Sequence, residues 1–122
     1  MTHPTYVLAY VENVPKSAAL YGRLLGQEPV ENSPSFAMFV LPNGVKLGLW
    51  ARHDVKPVAN TPGGIELCFV VESDDAVKTT LASWQKLGLD VLQQPTKMDF
   101  GFTFTATDPD GHRLRVFSPA PA

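Results

Sequence analysis

Cysteine is almost missing from this chain of 122 residues, with Cys68 the single example, which excludes an internal disulfide and any multi-cysteine metal site. Its setting, Leu67-Cys68-Phe69-Val70-Val71, is an apolar β-prone run in which a free thiol acts as a small apolar side chain. An excess of one charge sign is also lacking. Ten Lys and Arg stand against 12 Asp and Glu, for a formal net charge of -2, and they are scattered, so there is no basic footprint for phosphate backbones or anionic lipid. Neither nucleic acid nor membrane is expected as a partner. No run approaches the ~20 apolar residues of a membrane span, and the N-terminus has no basic-then-apolar leader pattern, so a cytoplasmic location is expected. The three histidines, His3, His53 and His112, fall in a tail, a connector and a turn, without His-x-His or His-Glu-x-x-His spacing. A Ser-centred nucleophile elbow and a glycine-rich phosphate loop are missing as well.

What is present suits one domain with one respectable core. Tyr6 to Val11 reads as a buried strand bounded by turn-formers. Asn13 offers a helix cap, Pro15 suits the first turn, and Val14, Ser17, Ala18, Tyr21, Leu24 and Leu25 recur at helical spacing up to Gly26. An irregular stretch with Pro29, Asn32, Ser33 and Pro34 follows. Phe36 to Leu41 and Val45 to Trp50 then flank a turn containing Asn43-Gly44, a strong hairpin signal. Residues 51 to 63 form an aperiodic connector.

Beyond the connector the order repeats. Ile65 to Val71 is a second buried strand, Ser73 a candidate cap, and Val77, Leu81, Trp84 and Leu87 an apolar stripe ending at Gly88. Leu89 to Leu92 reads as a short strand and Gln93 to Asp99 as a loop. Phe102 to Ala106 and Arg113 to Phe117 form a closing hairpin around Asp108-Pro109-Asp110-Gly111, where Pro presets φ, Gly accepts positive φ and Asp bonds its own backbone. Ser118 to Ala122 is a frayed tail. Matching Val11 with Val71 and Gly26 with Gly88 gives a period of about 60 residues, that of a duplicated supersecondary module.

The first strand, then Val-Glu-Asn-Val-Pro-Lys-Ser-Ala-Ala-Leu-Tyr with Leu-Leu-Gly at the helix end, and the late Asp-Pro-Asp-Gly-His before a strand, resemble the glyoxalase/bleomycin-resistance/dioxygenase superfamily, also called vicinal oxygen chelate proteins. The resemblance implies an α+β fold of two βαβββ modules, about residues 4–52 and 63–118 of a single domain 1–122, whose curled mixed sheets enclose a cavity. It also implies a homodimer. Within that superfamily the chain is similar to phenazine antibiotic-resistance proteins, which sequester a planar tricyclic drug. Tyr10-Val11-Glu12-Asn13-Val14, Glu28-Pro29-Val30, Trp50, Lys56-Pro57-Val58-Ala59 and Asp99-Phe100-Gly101 carry that closer likeness.

Metal-dependent members place His or Glu ligands at four positions that fall here on Tyr6, Gly48, Glu66 and Arg115. Only Glu66 could ligate, whereas a catalytic divalent site needs about three protein donors. No metal and no cofactor are therefore expected. If Gly48 faces the cavity, so do Lys46 and Trp50, and pairing across Asn43-Gly44 adds Ala37, Phe39 and Leu41, leaving Met38, Val40, Leu47 and Leu49 for the core. In the second half Glu66, Cys68 and Val70 share a face with Arg113, Arg115, Phe117, Thr103 and Thr105, while Leu114, Val116, Phe102 and Phe104 fill the core. Phe100 is assigned to the core with Phe102, and Trp84 to the core as well.

The candidate ligand-binding residues are thus Tyr6, Tyr10, Phe39 and Trp50, with Glu66, Thr103, Thr105 and Arg115 as polar anchors. Aromatic faces stack on a flat molecule and an arginine can pair its carboxylate. Two plainer roles stay open: Trp50 as a core or dimer-interface residue, and Glu66 and Arg115 paired with each other. The function expected is metal-free sequestration of a planar aromatic antibiotic or metabolite. The alternatives are a glyoxalase- or dioxygenase-type enzyme and a regulatory scaffold.

Overall fold

The computed structural model describes residues 4–56, 58, 59 and 66–121. His3, Pro57, Ala122, Ile65 at the start of the second predicted strand, and connector residues 60–63 lie outside them. The chain divides into two compact units, Met1–Pro62 and Gly63–Ala122.

In the first unit, β1 (Tyr6–Val11) leads into α1 (Val14–Leu25). The helix starts where Asn13 Oδ1 accepts the Lys16 backbone N–H at 3.0 Å, with Pro15 in the first turn, where its missing N–H costs no hydrogen bond. It buries Val14, Ser17, Ala18 and Tyr21, the 3-4 spacing of a one-sided helix. β2 (Glu31–Asn32), a short strand inside the stretch read as irregular, joins β3 (Phe36–Val40) and β4 (Lys46–Ala51). The sheet order is β1-β4-β3-β2, parallel between β1 and β4 and antiparallel elsewhere. The helix packs on β3 and β4, enclosing Val11, Ala37, Phe39, Leu47, Leu49 and Ala51.

One predicted register is corrected. Phe39 pairs with Leu47 and Met38 with Gly48, so Phe39 and Ala37 lie on the helix-covered face, fully buried, and Met38 and Phe36 lie beside Gly48 on the other. A two-residue Asn43-Gly44 turn would have set Phe39 against Gly48. The loop instead has three residues, Pro42-Asn43-Gly44, closed by the Leu41 N–H donating to Val45 O and the Gly44 N–H to Leu41 O, both at 2.8 Å. Gly44 takes φ +89°, a conformation that leaves side chains other than glycine strained and that three-residue hairpin loops demand. One extra loop residue turns every side chain of β3 over.

The second unit repeats the plan with β5 (Glu66–Val70), α2 (Asp74–Lys86), β6 (Asp90–Met98), β7 (Gly101–Thr107) and β8 (Arg113–Pro119), in the order β5-β8-β7-β6. Ser73 Oγ accepts the Ala76 N–H at 3.0 Å and caps α2. Trp84 on that helix is edge-on to Phe69 and Phe104, with ring centroids 5.3 and 5.4 Å away, in the core that Val77, Leu114 and Val116 complete. Asp108 Oδ1 accepts the N–H groups of Asp110 and His112 at 2.9 and 2.8 Å and so builds the turn between β7 and β8.

β6 is longer than the sequence suggests, because it continues through the segment read as a loop. Pro95 does not end it. It stands on the edge strand of the sheet, between Gln93 and Thr96 where the pairing register shifts, and an edge strand tolerates proline because one side of it has no ladder to feed. The α+β class and the two βαβββ modules are those the family resemblance implies.

Candidate ligand-binding faces

Each sheet has one face covered by its own helix and one that is not. On the open face of the first unit, in-register pairing brings together Tyr6 with Lys46, Leu8 with Gly48, and Tyr10 with Trp50, and adds Phe36 and Met38 from β3. Tyr10 meets Trp50 edge-on at 6.3 Å between centroids, and the Lys46 ammonium lies 5.0 Å from the centre of the Tyr6 ring. Tyr6 is 55% exposed and Leu8 39%. Gly48 is where these side chains close in: a Cβ there would come within 2.6 Å of Leu8 Cδ2 and 3.1 Å of the Phe36 ring. Of the predicted lining residues in this unit, Tyr6, Tyr10 and Trp50 share this face; Phe39 does not.

The open face of the second unit is polar at its centre. Glu66 pairs with Arg113 and Cys68 with Arg115 along β5 and β8, while Thr105 faces Arg115 and Thr103 faces Phe117 along β7. The predicted Glu66, Thr103, Thr105 and Arg115 therefore come together. Arg115 Nε donates to Glu66 Oε1 at 2.7 Å, and its Nη1 donates to Gln93 Oε1 at 3.2 Å and to Thr103 Oγ1 at 3.1 Å. The Thr103 hydroxyl in turn donates to Val116 O at 2.8 Å, and that of Thr105 donates to Gln93 Oε1 at 3.2 Å. Both threonines are fully buried beneath this network. The hydrogen bond from Arg115 holds the Glu66 carboxyl below its usual range, against a weaker opposing effect of burial. Burial, then the neighbouring Glu66 charge, pushes the Cys68 thiol up, so this cysteine is a poor nucleophile.

Two residues of this face escaped the sequence reading. Gln93 lies in a strand and not in the expected loop: the continuous β6 sets it opposite Thr105, and Pro95 as an edge-strand proline is the signal in the sequence that points to it. Phe100, expected in the core, is 41% exposed. Its ring lies 5.5 Å from the Arg115 guanidinium carbon and 5.5 Å, edge-on, from Phe117.

The donor set at the four positions that would hold a metal does not fit one. Gly48 has no side chain, and the carboxylate of Glu66 already carries a guanidinium where a cation would sit. Among the described residues no three His, Cys, Asp or Glu side chains gather as a metal site. Nor is any helix among them long and apolar enough to cross a membrane.

Against known proteins, the model of the Glyoxalase/Bleomycin resistance protein/Dioxygenase superfamily matches residues 3–116. The phenazine antibiotic resistance protein EhpR of Enterobacter agglomerans is 30% identical over 116 residues, 93% of this chain and 89% of that protein. Among solved structures, protein ATC0852 from Agrobacterium tumefaciens is 56% identical with a TM-score of 0.92, covering 99% of this chain and all of the other. A glyoxalase-related enzyme from Fulvimarina pelagi reaches a TM-score of 0.86 at 22% identity over 97% of this chain and 88% of its own, a likeness of fold.

Proposed function

Because the chain belongs to the glyoxalase/bleomycin resistance protein/dioxygenase superfamily, we propose that it binds and sequesters a planar aromatic antibiotic or metabolite of the phenazine kind, without metal and without catalysis. The observation that carries the reading is the aromatic cluster on the open face of the first unit, where exposed Tyr6 shares a face with half-buried Tyr10 and Trp50. Tyr6, Tyr10 and Trp50 offer stacking surface, each offset or edge contact adding about 0.5–1.5 kcal/mol beyond burial. On the open face of the second unit, Arg115 with Glu66, Thr103 and Thr105 around it offers a polar anchor of its own. The likeness to a phenazine resistance protein over most of both chains supports the ligand class. The reading includes a homodimer acting in the cytoplasm.

The test is tryptophan fluorescence of the purified protein titrated with phenazine and other planar tricyclic compounds, with and without chelator, in parallel with Trp50→Ala. The second tryptophan, Trp84, is buried in the helix-packed core at 5% exposure and serves as an internal control. Saturable quenching that survives chelator and disappears in the variant is expected. Absence of a saturable response to any compound, or a response that needs added divalent metal, overturns the reading.

A further inference from the structure

We infer that Arg115 presents a ligand with a single open corner, Nη2, and that the open face of the second unit therefore selects a planar aromatic molecule bearing a neutral acceptor, such as an amide carbonyl, over one bearing a carboxylate. This rests on the binding function proposed above and names the chemistry of its ligand.

A guanidinium has five N–H donors. In Arg115 the Nε donor is taken by Glu66 Oε1 at 2.7 Å and Nη1 is shared between Gln93 Oε1 and Thr103 Oγ1 at 3.2 and 3.1 Å. Neither Nη1 acceptor is free to leave. Thr103 is tied to Val116 O, and Gln93 Oε1 also accepts from Thr105. The two N–H groups of Nη2 have no acceptor among the described residues.

A carboxylate binds arginine best through two parallel bonds, which use Nη2 together with either Nε or Nη1. Both forks have one tine occupied here. A neutral oxygen or ring nitrogen needs only one donor and suits the corner that is left. The Phe100 ring already lies over the guanidinium, 5.5 Å from its carbon, so an in-plane partner is also what the geometry admits.

Charge points the same way. Glu66, held ionised by Arg115, neutralises the guanidinium and would stand beside an incoming carboxylate, a like-charge contact that interfaces avoid. Arg113, the other charge on this face near Glu66, is exposed and screened by solvent. Cys68, also on this face, stays neutral because its thiol is pushed up.

The experiment is isothermal titration calorimetry at pH 7.5 of the wild-type chain and Glu66→Gln with phenazine, phenazine-1-carboxamide and phenazine-1-carboxylate. Gln keeps the acceptor for Nε and removes the charge. In the wild type the carboxamide is expected to bind about tenfold more tightly than the carboxylate, and in Glu66→Gln that ratio is expected to fall at least about threefold, because the guanidinium charge is no longer balanced. Phenazine binding with a carboxylate equal to or tighter than the carboxamide in the wild type overturns the inference and leaves the binding function standing. A ratio unchanged in a variant with native circular dichroism overturns it too. If none of the three compounds binds, the binding function falls and the inference with it.

Discussion

Replacing Arg115 by leucine separates an anchor for a ligand from a keystone of the fold. The substitution removes three hydrogen bonds, to Glu66, Gln93 and Thr103, but orphans little. Thr103 keeps its bond to Val116 O and Thr105 its bond to Gln93, and Glu66, with a side chain 32% exposed, regains water. Each bond contributes about 0.5–1.5 kcal/mol net, and a partly exposed ion pair about 0–1 kcal/mol. Three such bonds come to about 1.5–4.5 kcal/mol; with Glu66 rehydrated and the leucine side chain covering much of the space left by the arginine stem, the expected loss lies at the low end, about 1.5–2.5 kcal/mol, a fall in Tm of about 6–10 °C for a domain of this size. The effect on binding is larger in proportion. One charge-assisted hydrogen bond is worth about 1.5–3 kcal/mol, so the Kd for phenazine-1-carboxamide should rise about 10- to 150-fold. Calorimetric titration and thermal melting of the same preparation measure both. A folded variant whose Kd lies within about twofold of the wild type would refute the anchor. A variant without native circular dichroism would show that the network carries the fold instead.

Three further outcomes are expected. Phe39→Ala should cost about 3–5 kcal/mol in urea denaturation, the range for a fully buried phenylalanine, while leaving ligand affinity of the folded protein unchanged; reduced affinity at intact stability would put Phe39 back on the open face. Gly101→Ala should lower stability by about 3 kcal/mol or more, since the residue has φ +150° and an added Cβ would overlap the Ser118 carbonyl; a near-neutral melt would show that β7 shifts easily. Glu66 has a folded carboxyl held below its usual 4.5, so its stabilising effect is complete above that pH and is lost as pH falls through the lowered value. The loss is less than about 1 kcal/mol given its exposure, and Glu66→Gln should flatten that part of the urea midpoint between pH 3 and 6, whereas an unchanged profile would remove Glu66 as its source.

Much of the fold was legible because helices and duplicated modules write themselves locally. Asn13 with Pro15, and Ser73, are caps whose side chains bond backbone three residues on, and the 3-4 apolar spacing names the buried stripe whatever the partner. Alternation along β5, β7 and β8 put Glu66, Thr103, Thr105 and Arg115 on one face without any structure. The register of β3 was not legible: Asn43-Gly44 fits a two-residue or a three-residue loop, and only the bonds made by Leu41 and Gly44 distinguish them.

The sequence by itself determined the two capped helices, the turn at Asp108-Pro109-Asp110-Gly111 and the duplication of a strand-helix plan, since these depend on local chemistry and on spacing. The tertiary structure alone decided that Phe39 is core, that Pro95 lies inside an edge strand, and that Gln93 and Phe100 close on Arg115. Those outcomes hang on strand pairing between residues distant in the chain, where a slip of one position reverses a face.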